Sequence, residues 1–153
     1  MEKRVIEKLR ERGLLLATAE SCTGGLCAKR LTDVAGASQV FCGGVVSYTN
    51  DVKMRLLGVK EETLAQFGAV SGETAREMAE GARKATGADV AVSVTGLAGP
   101  GGDEFGHPVG TVFIGYADGE TALFRECHFT GDREQVRSQT VAAALELILE
   151  LAK

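Results

Sequence analysis

The sequence predicts a three-layer α/β/α domain around a mixed, mostly parallel β-sheet. Three observations carry that prediction. Helix-like and strand-like stretches alternate along the chain. The strand-like stretches include continuous apolar runs, the pattern of strands covered by helices on both faces. A turn signal late in the chain joins two such runs as a hairpin and adds an antiparallel pair.

Residues 2–12, EKRVIEKLRER, carry Val5, Ile6 and Leu9 at helical spacing, and Gly13 follows as a stop. LLLATAE then reads as a buried strand, and TGGLCAKRLTDV resumes a helical pattern through Leu26, Cys27 and Leu31. Ser21 and Cys22 thus fall on a strand-to-helix turn. VFCGGVVSYT is a second strand, in which Gly43-Gly44 marks a bulge or a close backbone approach. Asn50 is the expected cap of the helix DVKMRLLG.

Ser71, with Glu73 in the first turn, opens a helix whose apolar face is Ala75, Met78, Ala79 and Ala82 and which Gly87 ends. ADVAVSVTG is strongly strand-like, and the glycine-rich LAGPGGDEFGHP after it is a loop. VGTVFIGYA and TALFRECHF flank Asp118-Gly119, the hairpin turn. Asp132 and Gln135 form a capping-box variant for a last helix that buries Val136, Val141, Leu145, Ile148 and Leu149.

With 153 residues, no composition break and Pro100 and Pro108 as the only prolines, residues 1–153 read as a single domain. The formal charge of −4 disfavours broad contact with nucleic acid or acidic membrane, though not a local anion pocket. No run approaches the ~20 apolar residues of a membrane span and no leader pattern opens the chain, so a cytoplasmic location is expected. Cys22, Cys27, Cys42 and Cys127 lack the paired spacing of a structural zinc site and read as mostly buried, reduced thiols.

Two places suit chemistry. Backbone N–H groups at a helix start are unsatisfied and partly positive, so Ser21, Cys22, Thr23, Gly24 and Gly25 form a candidate anion or oxyanion cradle. A nucleophile there lies beside preformed donors, although the pattern G-x-S-x-G is absent; a cap role for Ser21 or Thr23 is the plainer alternative. Cys22 is a rival nucleophile, with His107 or His128 as its base. Ser21 needs a base of its own, and Lys53 is a candidate if burial lowers its pKa. The helix dipole favours that deprotonation and Asp51 opposes it. Taken by itself Lys53 belongs on a solvated surface.

The loop TGLAGPGG, Thr95 to Gly102, follows a strand end where open α/β sheets bind ligands, but matches neither the dinucleotide nor the NTPase glycine pattern. Arg133 and Arg137, four apart near the start of the last helix, are candidate counter-charges for a phosphate.

The segments TAESCTGG, GGVVSYTNDVK, GAVS, VSVTGLAGPGG, PVGTV and GDREQVRSQT, in this order, resemble the C-terminal domain of the competence/damage-inducible protein CinA over nearly the whole chain. The stand-alone members of that family are nicotinamide-nucleotide amidohydrolases. The resemblance implies hydrolysis of the carboxamide of nicotinamide mononucleotide to nicotinate mononucleotide and ammonia in pyridine-nucleotide salvage, with no metal or cofactor. It implies a five-stranded mixed sheet and a homodimer or higher homo-oligomer. By position Ser21 matches the proposed nucleophile, Lys53 the proposed general base and Tyr48 the tyrosine of the same segment. Thr95, Gly96 and Arg137 match suggested substrate contacts. His107 stands where relatives often have lysine, and GGDEFG is shorter than some members' loop. Two other readings remain open: a hydrolase using Cys22, and a nucleotide-binding module without turnover.

Overall fold

Successive side chains of strand β1 (Leu16–Glu20) leave opposite faces, so Leu16, Thr18 and Glu20 share one side and Ala17 and Ala19 the other. The computed structural model, covering Met1–Lys153, carries that division across the sheet. In β3 (Val90–Gly96) and β4 (Thr111–Ala117), Val90, Val92, Val94, Val112, Ile114 and Tyr116 join Leu16 in one core. Ala17, Ala19 and Ala91 belong to a second core on the opposite side.

The large-residue face packs α1 (Glu2–Arg12), α2 (Leu26–Thr32) and α6 (Arg133–Leu151), through Ile6, Leu9, Leu31, Leu145 and Ile148 among others. The small-residue face packs α3 (Asn50–Leu57), α4 (Glu61–Phe67) and α5 (Gly72–Thr86), through Leu57, Leu64, Met78 and Ala82. With β2 (Phe41–Val46) and β5 (Ala122–His128) at its edges, the sheet has the order β2-β1-β3-β4-β5. β1 is parallel to β2 and β3, whereas β4 is antiparallel to β3 and β5. Only β4 therefore runs against the others, which gives the mixed, mostly parallel sheet and the three layers that the sequence predicts.

Local expectations hold at most junctions. Gly13 and Gly87 end α1 and α5 in the left-handed region, the Ser71 hydroxyl accepts from Thr74 N–H, and Asp132 with Gln135 completes a capping box on α6. Asp118 closes the β4–β5 hairpin by accepting from the N–H groups of Glu120 and Thr121. At Gly43-Gly44 both readings apply. Leu16 pairs with Phe41 and Ala17 with Gly43, which leaves Cys42 as the extra residue of a bulge. A side chain at Gly44 would overlap Thr18 Oγ1.

Three expectations need correction. The cap of α3 is Thr49, whose hydroxyl accepts from Val52 N–H, and Asn50 is the first helical residue. Helix α2 begins at Leu26 rather than Thr23, because Gly24 and Gly25 take φ of 60° and 106°, a left-handed backbone that cannot continue a right-handed helix. Residues Glu61–Phe67 form α4, to which the sequence pattern assigns no element; its buried residues are only Thr63 and Leu64, too few to print a periodic stripe. The expected reduced thiols are free: Cys22 and Cys27 are buried, Cys127 is half-buried and Cys42 is exposed. No helix is long and apolar enough to cross a membrane.

The small face lets α5 approach both the sheet and α3 closely. Added methyl groups at Gly81 of α5 and at Gly115 of β4 would overlap the backbone carbonyls of Leu57 and Ala75 respectively. Gly81→Ala is therefore expected to lower unfolding free energy by ~1–3 kcal/mol, against the ~1 kcal/mol gain that alanine brings to an open helix interior. Urea melts with Gly119→Ala as reference, where nothing lies within 4 Å, check this; equal midpoints for the two variants would contradict the packing account.

Candidate active site

The parallel strands β1, β2 and β3 end together, and the loops that leave their carboxyl ends surround a cleft of about 450 Å³. From β1 come Ser21 and Cys22, from the β2–α3 junction Tyr48, Asn50 and Lys53, and from the β3 end Thr95 to Gly102; Ala69, Val70 and Arg133 complete it. Ser21 is placed from both sides. Its N–H donates to Val94 O at 3.0 Å, and Ser47 N–H donates to the neighbouring Glu20 O at 2.8 Å.

Lys53 is 1% exposed, the opposite of the solvated surface residue that its type suggests. Thr49 starts α3 so that Lys53 lies one turn in, pointing under the β1 turn. Its Nζ donates to Ser21 Oγ at 3.0 Å and to Ser47 O at 2.8 Å. Burial pulls the ammonium down from the ordinary lysine range to about 8, and a negative charge on Cys22 would act in the opposite direction. Asp51, expected to oppose deprotonation, is exposed and occupied by Arg55 Nε at 2.8 Å.

Cys22 also lines the cleft but is 7% exposed, and burial pushes its thiol up to about 11. His107, a candidate base for it, is not among the cleft-lining residues; its Nδ1 pairs with Asp103 Oδ2 at 2.6 Å. His128 pairs with Glu126 at 2.6 Å on β5, at the far edge of the sheet. A neutral, buried thiol without a base is a poor nucleophile.

Of the five residues expected to form a cradle, only Ser21 and Cys22 line the cleft. The first free N–H groups of α2, those of Cys27 and Ala28, are occupied by the Glu20 carboxylate at 2.8 and 3.0 Å. The N–H groups of Cys22 and Thr23, in the turn itself, make no backbone hydrogen bond, and of the two residues only Cys22 lines the cleft. Thr23 is fully buried and its hydroxyl donates to Glu20 Oε1 at 2.6 Å, so it holds the turn from behind. Gly24 and Gly25 shape the turn and do not line the cleft.

Thr95 and Gly96 line the cleft, and the Thr95 hydroxyl donates to Ala69 O at 2.7 Å. Arg137 is not a lining residue: its Nη2 donates to Thr23 O at 2.8 Å, on the rear of the turn. Arg133, one helical turn earlier, is the arginine of the cleft. It donates to Tyr48 Oη at 3.2 Å and to Gly99 O at 2.7 Å, joining two walls at the rim. Tyr48 is 61% exposed there, and the two partners of Lys53 Nζ do not include it.

The loop between β3 and β4 forms the remaining wall. It is closed at its neck by Leu97 N–H donating to Thr111 O at 2.9 Å and Gly110 N–H donating to Leu97 O at 2.8 Å. Sequence reasoning overlooked Glu20, the Ser47 carbonyl and Asn50. For Glu20 a signal existed, since a carboxylate that ends a strand buried on both faces must find donors inside the protein.

Fold and cleft together define a class: an α/β domain with a buried serine–lysine pair at the carboxyl edge of its parallel strands. Within that class, residues 1–152 match the family model for the CinA C-terminal domain, and the chain belongs to that family. It is 52% identical over 136 residues to a CinA-like protein of Syntrophomonas wolfei, covering 89% of this chain and 33% of the relative. It is 48% identical over 153 residues to a CinA-like protein of Thermotoga maritima, covering 100% of this chain and 37% of the relative. The chain thus spans about a third of the length of the curated relatives it matches. Among solved structures, competence/damage inducible protein CihA from Agrobacterium tumefaciens is similar with TM-score 0.95 and 45% identity, over 99% of this chain and 93% of that one. The competence damage-inducible protein A of Klebsiella pneumoniae is similar with TM-score 0.96 and 38% identity, over 98% and 93% respectively.

Two outcomes follow from these geometries. Iodoacetamide at about pH 7.5 is expected to modify exposed Cys42 first and to leave Cys22 intact until the protein unfolds; peptide mass spectrometry reads the order, and early loss of Cys22 would contradict its burial. For Lys53, the folded value of about 8 lies below the ~10.4 of an unfolded lysine, so the unfolded chain binds more protons between those values and stability rises with pH there. Relative to Lys53→Met, the parent protein should gain roughly 2–3 kcal/mol between pH 7 and pH 10.5. Parallel urea melts at the two pH values, with a constant difference between the proteins, would refute it.

Proposed function

We propose that the chain hydrolyses the carboxamide of nicotinamide mononucleotide, giving nicotinate mononucleotide and ammonia, with Ser21 as nucleophile and Lys53 as general base. The observation that carries this reading is the 3.0 Å contact between Lys53 Nζ and Ser21 Oγ, made by a lysine that is 1% exposed. Family membership supports the reaction class, and a cleft of about 450 Å³ lies within the range of small-molecule sites.

In this reading neutral Lys53 takes the hydroxyl proton as Ser21 Oγ attacks the amide carbon. The oxygen that becomes negative lies against the N–H of Cys22, which lines the cleft and makes no backbone hydrogen bond. The Lys53 ammonium then gives its proton to the amide nitrogen as the C–N bond breaks, and ammonia leaves an ester on Ser21. Water attacks that ester and Lys53 accepts one of its protons, which returns to Ser21 Oγ as the ester C–O bond breaks; the acid departs and gives its remaining proton to solvent, leaving the carboxylate product. Thr95 and Gly96 form the floor beside the ring. Tyr48 contacts substrate at the rim. Arg133, rather than Arg137, supplies the phosphate's counter-charge, while Arg137 braces the turn.

Assembly into a homodimer or larger homo-oligomer in the cytoplasm belongs to the same reading, supported by the exposed side chains of Val46, Phe105 and Phe124. Purified protein is expected to release ammonia from the mononucleotide. Ser21→Ala and Lys53→Ala should each lower kcat by a factor on the order of 10³ or more, and Cys22→Ala should leave it within a few-fold. kcat/KM should climb with pH along an acid limb whose apparent pKa is about 8, the pH at which Lys53 becomes neutral. Full activity of Ser21→Ala would end the proposal.

A further inference from the structure

Glu20 is a carboxylate sealed at 1% exposure next to the serine, and its partners are neutral groups. Oε1 accepts from Thr23 Oγ1 at 2.6 Å and from Cys27 N–H at 2.8 Å, and Oε2 accepts from Ala28 N–H at 3.0 Å. Burying an ionised group without a counter-ion is far more costly than an ordinary helix cap requires. Yet α2 has no cap of its own: its N-cap residue is Gly25, which makes no side-chain hydrogen bond. Glu20 performs the capping from seven and eight residues upstream.

Reaching across the turn has a consequence for the cleft. The backbone of Glu20 is fixed in β1, between β2 and β3, and its side chain fixes the start of α2, so the five residues between the two anchors have no freedom to open. Held in this way, the turn leaves the Cys22 N–H at the cleft wall without a backbone acceptor. The carboxylate also fills the helix start, so an incoming anion is offered the turn and not the helix. Arg137 braces the same turn from its carbonyl side, at Thr23 O.

We propose that Glu20 is a positioning residue for the serine: it ties α2 to β1 so that Ser21 Oγ and the Cys22 N–H are held in one arrangement before substrate binds. The inference rests on Ser21 being the nucleophile, though not on the identity of the amide. Displacing a reacting group by about 1 Å can reduce rate on the order of a hundredfold without weakening binding. The effect should therefore fall on kcat, while KM stays within about threefold and the acid limb set by Lys53 stays in place.

The test compares the parent chain with Glu20→Gln and with Thr23→Val, the latter removing one of the three donors and serving as the milder variant. An alkyl fluorophosphonate reports on Ser21 directly, because the serine oxygen bonds to phosphorus, fluoride leaves and the hydroxyl proton passes to Lys53. Amide hydrogen exchange at Cys27 and Ala28 reports on the tie. We expect Glu20→Gln to slow labelling of Ser21 by about tenfold or more and to speed exchange at both amides, with β1 and β3 still protected. Thr23→Val should lie between the two. Faster exchange with unchanged labelling and unchanged kcat would overturn the assignment, as would a parent chain that the probe does not label. Labelling that depends on Glu20 in a chain that releases no ammonia from the mononucleotide would sustain the assignment and remove only the proposed substrate.

Discussion

A lysine ammonium shut away from water is the constraint around which the rest of this domain is arranged. At 1% exposure Lys53 has lost almost all hydration, and the two acceptors it has gained, Ser21 Oγ and Ser47 O, come from the ends of different strands. Those strand ends must converge for the side chain to be accommodated at all. The backbone bond between Ser47 N–H and Glu20 O secures that convergence. The same burial that disfavours the charge is what lowers its proton affinity toward neutrality, so the instability of the group and its chemical aptitude have one origin.

The layers explain why the convergence occurs at this edge. Aliphatic side chains on one face of the sheet hold α1, α2 and α6, whereas alanines on the other let α5 lie close and α3 pack beside it. Helix α3 is the element that carries Lys53, so the close packing of the small face sets the depth to which that side chain enters. On the opposite side α2 follows Ser21 and is tied back by Glu20. The serine thus sits at the end of β1 between the helical layers, where Lys53 reaches it from α3 while Glu20 ties the turn to α2.

Much of this was legible in the sequence where physical signals are local. Continuous apolar runs, the Asp118-Gly119 turn and the Asp132–Gln135 box specify strands, hairpin and last helix through neighbouring residues, and the three-layer sheet follows from their order. The turn after β1 was legible as a place for chemistry, although its helix begins only after the glycines. Pairing of Ser21 with Lys53 was not, because 32 residues separate them and nothing in the spacing of either marks the other; the family resemblance suggested it. Arg133 and Arg137 were equal candidates from spacing, since both occupy one helix face. Their difference arises from tertiary placement: Arg133 meets Tyr48 and Gly99 at the rim, while Arg137 turns to Thr23 O behind it. Thr49 and Asn50 are both good caps, and local preference alone does not choose between them.

The neck of the β3–β4 loop has an evolutionary corollary. Because Leu97 clasps Thr111 and Gly110 at the point where the chain leaves and re-enters the sheet, the dozen residues beyond that clasp transmit little strain to the strands. Insertions and deletions there remodel one wall of the cleft while the serine, the lysine and the helices beneath them stay undisturbed. The domain therefore separates the part that reacts from the part that selects, and a lineage can exchange the second like a fitting while inheriting the first intact.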